Sequence, residues 1–339
     1  MNLDESYRVL GVKPGVSLTE ARREYYKLLK FFHPDRHQGS PGLLRKATEE
    51  TKKLNLAYEQ LCKVFGRGKT GGRAATDGRT KRKETSGKAP VPGETFTVRS
   101  CGMKMNWIAP GRFVMGSPAS EAGRSNDEGP QTEVTISRGF WLGVFAVTQE
   151  EWKAIAEEAD GLKVEPSYFR GARLPVEQVS WNECRIWLQE LNASEEGRLP
   201  QGYEYRLPTE AEWEFVCRAG TTTRFCCGEG DEVLNDYAWY NGNSGSQSHA
   251  VGEKKPNRWG LFDMHGNVWE WCRDWYGVFG GGKVTDPTGP SLGMKRVMRG
   301  GSWGVAATRC RAAYRVWNEP GYRDYTLGFR VGLAASCDR

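Results

Sequence analysis

At 339 residues the chain has room for two or three domains, and the larger of them can bury a full core. Its 48 Lys and Arg stand against 42 Asp and Glu, so a net charge of +6 gives no argument for nucleic acid as a partner. There is no stretch of about 18 apolar residues and no basic–apolar leader, so neither a membrane span nor export is expected, and the cytoplasm is the expected location.

Cysteine usage agrees with that compartment. Cys62, Cys101, Cys184, Cys217, Cys226, Cys227, Cys272, Cys310 and Cys337 are odd in number, irregularly spaced and contain no CxxC pair. A zinc ribbon or a thioredoxin-like dithiol is therefore not expected, and scattered buried thiols are. All 13 tryptophans lie at or beyond Trp107, which assigns the aromatic core to the C-terminal part.

The first predicted elements are helical. Ser17-Leu18-Thr19-Glu20 has capping-box form and follows the turn signal Pro14-Gly15. Ala21, Tyr25, Leu28, Leu29 and Phe32 then recur at helical spacing, and Pro34 stops the helix because it pushes the residue before it out of the α region. A second stripe carries Ala47, Leu54, Tyr58, Leu61 and Phe65. Two such stripes joined by a loop predict an antiparallel helical hairpin. Arg23, Lys27 and Lys30 line the opposite face of the first long helix, which His33-Pro34-Asp35 follows directly.

Over residues 3–65 this arrangement resembles the J-domain of DnaJ-type co-chaperones. The resemblance implies that His33, Pro34 and Asp35 trigger ATP hydrolysis in a DnaK-type chaperone, while Arg23, Lys27 and Lys30 dock on its acidic surface. A rigid basic face suits that task physically, since it steers an acidic partner. The chain departs from full-length DnaJ proteins in having no Gly/Phe-rich stretch and no CxxCxGxG repeats. Residues 1–65 are accordingly read as an all-α domain that leaves substrate recognition to the C-terminal part of the chain.

Residues 66–95 read as a disordered basic linker containing Gly and Pro, because almost nothing bulky and apolar is available there to bury. Gly66-Arg67-Gly68-Lys69-Thr70 lacks the spacing and the preceding strand of a phosphate loop. Weak, nonspecific contact with nucleic acid is the most its charge supports, and a tether is the preferred role.

From residue 96 to 339 the pattern changes to short strands and Gly, Asn and Pro turns. Ser180 precedes an amphipathic helix with Trp181, Cys184, Trp187 and Leu188 on one face, and Thr209 with Glu212 caps another. Two helices beside many short strands predict an α+β domain rich in loops.

Ordered signatures run through this domain: Met115-Gly116-Ser117, Pro175-Val176-Glu177-Gln178-Val179-Ser180-Trp181, Arg206-Leu207-Pro208-Thr209-Glu210, Gly260-Leu261-Phe262-Asp263-Met264-His265-Gly266-Asn267-Val268-Trp269-Glu270-Trp271, Arg299-Gly300-Gly301-Ser302-Trp303 and Gly328-Phe329-Arg330-Val331. In this order they resemble the formylglycine-generating (sulfatase-modifying) enzyme family, which implies a C-type-lectin-like fold. The enzymes of that family oxidise a target-protein cysteine to formylglycine using copper held by two thiolates. By that resemblance Cys310 matches the second thiolate and Val305 stands where the first would be. A valine binds no metal, and a single thiol here is more simply a small buried hydrophobe. His249 and His265 do not supply a three-histidine iron site either. The domain is therefore read as leaning away from catalysis and needing no cofactor, with a copper-dependent oxidase as the alternative.

A second branch of the fold fits better. Residues 299–331 resemble the C-terminal region of variable proteins diversified by retroelements, which implies a fixed frame around free positions. The frame would be Gly300, Gly301, Ser302, Trp303, Cys310, Arg311, Ala313, Arg315, Pro320, Arg323, Gly328, Phe329 and Arg330. The displayed, ligand-binding set would be Gly304, Val305, Ala306, Thr308, Arg309, Val316, Trp317, Asn318, Glu319, Tyr322, Asp324, Tyr325 and Thr326. Trp, Tyr, Asn and Arg are what binding loops use: aromatic anchors with few rotors beside adaptable hydrogen-bonders. The expected partner is an unknown protein or other macromolecule. The same resemblance puts a calcium site at Asp263, Gly266, Val268 and Glu270, where hard oxygen ligands suit Ca²⁺. A tight turn capped by Asp and Glu accounts for the same residues.

Overall fold

The computed structural model describes residues 2–17, separate positions between 20 and 61, residues 90 and 91, and the run 93–335. The chain divides into two compact units, Met1–Ser86 and Gly87–Arg339. Residues 62–89, the greater part of the expected linker, lie outside the described residues.

In the first unit, α1 (Leu3–Val9) starts at Asn2, whose side-chain oxygen accepts the Glu5 N–H at 2.8 Å. Ser17 Oγ accepts the Glu20 N–H at 3.2 Å, the contact that the capping signal anticipates. Ala21 and Tyr25 from the first stripe and Leu54, Tyr58 and Leu61 from the second are buried in one cluster with Tyr7, Leu10 and Ala57. The Tyr25 and Tyr58 rings stack at 4.3 Å between centroids, so the two stripes meet as expected. Leu29, Phe32, Ala47 and Phe65 lie outside the described residues.

In the second unit, three sheets carry the fold. The first has the order β1 (Thr95–Thr97), β2 (Lys104–Ile108), β5 (Phe140–Gly143), β12 (Gly332–Ala335) and β6 (Tyr203–Arg206), antiparallel throughout. The second has the order β10 (Arg315–Asn318), β9 (Arg296–Arg299), β7 (Trp269–Trp275) and β11 (Leu327–Phe329), with β7 and β11 parallel. The third joins β3 (Gly111–Met115), β4 (Thr132–Ile136) and β8 (Gly282–Thr285).

Four helices accompany these sheets among the described residues: α2 (Gln149–Ala156), α3 (Trp181–Ser194), α4 (Glu210–Arg218) and α5 (Asp231–Leu234). The sequence pattern anticipates only α3 and α4. Thr148, Ser180 and Thr209 each open a helix with a complete capping box, closed by Glu151, Glu183 and Glu212. The cap of α2 therefore has the same local signature as the other two. Trp152 of α2 and Trp187 of α3 lie nearly parallel to each other, and both meet Phe329 of β11 edge-on. Burying each such ring stabilises the fold by about 1.5–3 kcal/mol. This layer fixes the platform from which residues 299–331 are presented.

Candidate ligand-binding surface

The segment leaves β9 through two glycines whose φ angles are +100° at Gly300 and +78° at Gly301. L side chains rarely adopt that region. At Gly301 a Cβ would lie 2.5 Å from the Cys310 Sγ, so the backbone can turn tightly over that sulfur only without a side chain. A 3₁₀ turn at Ala307–Arg309 follows, then β10.

Four buried arginines pin the segment. Arg299 pairs with Glu214 and donates to the Ala312, Ala313 and Tyr314 carbonyls. Arg311 donates two hydrogen bonds to Glu128, at 2.6 and 2.8 Å. Arg315 grips Glu210 at 2.8 and 2.6 Å, and Arg330 holds Glu270 at 2.7 and 3.0 Å. Forked guanidinium–carboxylate pairs add geometric specificity as well as energy. α4 alone supplies two of the carboxylates, which ties the segment to the helix lying beside it.

Frame and free positions divide sharply by accessibility. Gly300, Gly301, Ser302, Trp303, Cys310, Arg311, Ala313, Arg315, Gly328, Phe329 and Arg330 are buried. Two expected frame residues depart from this: Pro320 is half-buried, and Arg323 is exposed, ion-paired to Glu183 at 2.7 Å. None of Gly304, Val305, Ala306, Thr308, Arg309, Val316, Trp317, Asn318, Glu319, Tyr322, Asp324, Tyr325 or Thr326 is buried.

Val316, Trp317 and Asn318 sit on the edge strand β10, paired to β9. Trp317 stands out from that edge, with Lys295 Nζ 3.2 Å above its ring and Tyr276 at 5.7 Å. Asp324 is partly occupied within the protein, since its Oδ1 accepts the Thr326 N–H at 2.8 Å and the Thr326 hydroxyl at 2.6 Å.

A second contributor was not expected from the sequence. Tyr168, 70% exposed, approaches Tyr325 at 6.0 Å, and Tyr325 lies 5.5 Å from Trp303, which Phe169 meets edge-on. The 168–169 loop is held by Glu177, whose Oε1 accepts the Tyr168 and Phe169 N–H groups at 2.6 and 2.9 Å. Burial pushes the Glu177 carboxyl up to about 7, against those two bonds. Adjacent aromatics between Pro166 and Gly171 were the available signal.

The residues matched to the copper ligands do not fit that metal. Val305 offers only a hydrocarbon, and Cys310 is sealed among Phe225, Leu234, Ala238 and Ala307, with half-buried Val305 packed against that cluster. Burial pushes the Cys310 thiol up to about 12, which disfavours a thiolate. His265 donates from Nδ1 to the Cys310 carbonyl and accepts the Cys226 N–H at Nε2, so both ring nitrogens are engaged. Among the described residues no three His, Cys, Asp or Glu side chains converge as a metal-holding group.

At the expected calcium position, Asp263 is buried, its Oδ1 has no hydrogen-bond partner, and its Oδ2 accepts the Gly252 N–H. Both Glu270 oxygens are already taken, by Arg330 and by the Trp213 indole N–H. Gly266 and Val268 are buried beside them. Any cation there competes with Arg330 for Glu270, so the arrangement fits a carboxylate-capped turn better than an oxygen cage.

Of the residues expected to face a chaperone, Lys27 is exposed and paired with Glu24 at 2.7 Å. Arg23, Lys30, His33, Pro34 and Asp35 lie outside the described residues.

Residues 94–335 match the family model described as Sulfatase-modifying factor enzyme 1-like domain, and residues 5–67 match that of the DnaJ domain. The chain is 32% identical over 255 residues to Serine/threonine-protein kinase pkn1 of Chlamydia caviae, covering 67% of this chain but only 37% of that one. It is 36% identical over 310 residues to the formylglycine-generating enzyme of Mus musculus, covering 72% of this chain and 79% of that protein. Among solved structures it resembles Treponema denticola variable protein 1, with a TM-score of 0.62, 31% identity and coverage of 70% and 98% of the two chains. The architecture is thus a helical J-domain joined to a loop-rich, C-type-lectin-like domain. No helix among the described residues is long and apolar enough to cross a membrane.

Proposed function

The chain belongs through residues 94–335 to the sulfatase-modifying factor enzyme 1-like family, and from that premise we propose that it is a non-catalytic ligand-binding protein. It displays residues 304–326 on a lectin-like scaffold and recruits a DnaK-type chaperone through its J-domain. One observation carries this reading: eleven of the expected frame residues are buried, while every expected display residue keeps solvent access. Rigid surroundings with accessible Trp and Tyr are how a binding surface contacts large partners at low entropic cost. Similarity to a variable protein of T. denticola adds support, as does the DnaJ match over residues 5–67. A client held by the second domain would meet the chaperone at raised effective concentration, because both are tethered to one chain.

The rival reading, a copper-dependent oxidase forming formylglycine on a target protein, draws on the match to the M. musculus enzyme. Val305 and the sealed Cys310 weigh against it. Copper titration with an oxygen-consumption assay on the full chain separates the two. Tight Cu(I) binding with turnover on a cysteine peptide overturns the binding-protein reading, and no turnover together with capture of a macromolecule supports it.

A further inference from the structure

Between β3, β4, β8 and the start of α4 lies a cleft of about 120 Å³. Val134, Val284, Trp275, Phe279 and Pro290 give it a largely apolar wall, and three charged side chains line it as well: Glu210, Arg315 and Asp274. Arg315 is fully engaged. Its Nε and Nη2 donate to Glu210, and its Nη1 donates to the Asp127 and Gly277 carbonyls. Asp274 is not. It is 4% exposed, and its Oδ2 accepts the Glu210 N–H at 3.0 Å. Among the described residues its Oδ1 meets no donor, and no cation stands within ion-pair distance of it. Gly289, at φ +69°, leaves that oxygen uncovered, since a Cβ there would stand 3.2 Å from it.

We infer that this cleft binds one aliphatic ammonium group, the head of a lysine side chain or of a small free amine, with Asp274 Oδ1 as its counter-ion. A buried carboxylate with one oxygen unpaired is costly, and a cation brought in from outside offsets that cost. Glu210 and Arg315 cancel each other, so an ionised Asp274 leaves the cleft one positive charge short. Size agrees with the same ligand. An apolar cavity of about 150 Å³ holds a benzene ring, so this one admits roughly five non-hydrogen atoms, the extent of a butylammonium chain. Its methylenes would lie on Val134, Val284 and Phe279 while the nitrogen reaches Asp274. None of the expected display positions lines the cleft, so this site is separate from the displayed side chains.

Protonation sets the conditions. Asp274 is pushed up to about 7, first by burial and then by Glu210 and Glu212, against the Glu210 N–H bond and the charge of Arg273. Arg273 does not line the cleft, and apart from Glu210, Arg315 and Asp274 the lining side chains carry no charge. An alkylammonium keeps its proton to about pH 10. Its affinity should therefore be full above about pH 8 and fall about tenfold for each unit below 7, as Asp274 takes up a proton.

The test titrates the full chain at pH 8 with n-butylammonium chloride and, as a neutral isostere, n-butanol, by calorimetry against a matched NaCl control. The ammonium binds at least about tenfold more tightly than the alcohol. Asp274→Asn, which keeps an oxygen for the Glu210 N–H, removes that preference and its pH dependence. Val284→Phe, which enlarges a half-buried wall residue and leaves Asp274 in place, weakens binding at least about tenfold. Nα-acetyl-lysine N-methylamide identifies the source: affinity matching n-butylammonium assigns a protein lysine, weaker affinity a free amine, and both support the ammonium site. Equal affinity for the alcohol, or no binding of either, overturns the inference and needs no variant. A natively folded Asp274→Asn that binds the ammonium at the parent level overturns the counter-ion, and parent-level binding by natively folded Val284→Phe overturns the location.

Discussion

Arg311 and Glu128, 183 residues apart, are joined by two hydrogen bonds of 2.6 and 2.8 Å, and neither side chain reaches solvent. Burial works to raise the Glu128 carboxyl, yet Arg311, the Ser125 N–H and the Ser117 hydroxyl hold it below the ordinary carboxylate range. The pair stands directly beneath the 3₁₀ turn, with Arg311 Nε donating to the Thr308 carbonyl at 2.9 Å. Removing one partner strands a buried charge, which costs about 3–5 kcal/mol. Arg311→Ala should therefore lower the melting temperature of the larger domain by roughly 10 °C. Arg311→Met combined with Glu128→Leu and Glu121→Gln, which removes the charge of the second carboxylate on Arg311, should recover much of that loss. Thermal unfolding followed by near-UV circular dichroism decides.

Surface aromatics should behave in the opposite way. Trp317→Ala, Tyr325→Ala and Tyr168→Ala remove side chains that are 40%, 44% and 70% exposed. Each should shift stability by no more than about 0.5–1 kcal/mol while weakening capture of the macromolecular ligand at least about tenfold. Pull-down by the full chain, beside melting curves of the same variants, checks both halves.

Glu177 gives the 168–169 loop a pH dependence. Its carboxyl is raised from 4.5 to about 7, first by burial. The folded state therefore holds a proton that the unfolded chain has lost. The resulting stability is complete below the ordinary carboxylate value and disappears as pH rises through about 7. Asp274, also raised to about 7 by burial, acts in the same window. The informative quantity is thus the difference between Glu177→Gln and the parent. The variant keeps an oxygen for the Tyr168 and Phe169 N–H groups, so it should gain a few °C over the parent at about pH 8 and nothing at about pH 5.

Calcium is expected to leave stability unchanged, because Arg330 already neutralises Glu270. Millimolar CaCl₂ and EDTA should give melting temperatures within about 1 °C of each other. A calcium-dependent rise would show that a cation takes Glu270 from the guanidinium.

For the J-domain, His33→Gln should abolish stimulation of a DnaK ATPase while leaving the helical far-UV signal intact. Stimulation at the parent level would remove the chaperone role from the reading.

What could be read in advance was mostly local. Thr209 with Glu212 announced α4 because a cap spans one helical turn, and the face of Trp181, Cys184, Trp187 and Leu188 announced α3. The stripe through Ala21 and Tyr25 announced the helical pair for the same reason of short period. The resemblance of 299–331 to diversified variable proteins implied a frame of which eleven positions are buried, Pro320 and Arg323 being the two that are not. The strand that carries Trp317 was not legible, because a four-residue edge strand is too short to establish a period of two.

By itself, then, the sequence determined the starts of α3 and α4 and the helical stripes of the first unit, which rest on neighbours a few residues apart, while the division into frame and free positions came from a resemblance between whole motifs. Only the tertiary structure decided that Glu128, Glu210, Glu214 and Glu270 would meet four arginines of the display segment. It alone brought Tyr168 to Tyr325, and set Cys226 beside His265. Those partners lie tens to nearly two hundred residues apart, and a contact at that range follows from strand order and sheet packing, to which local periodicity is blind.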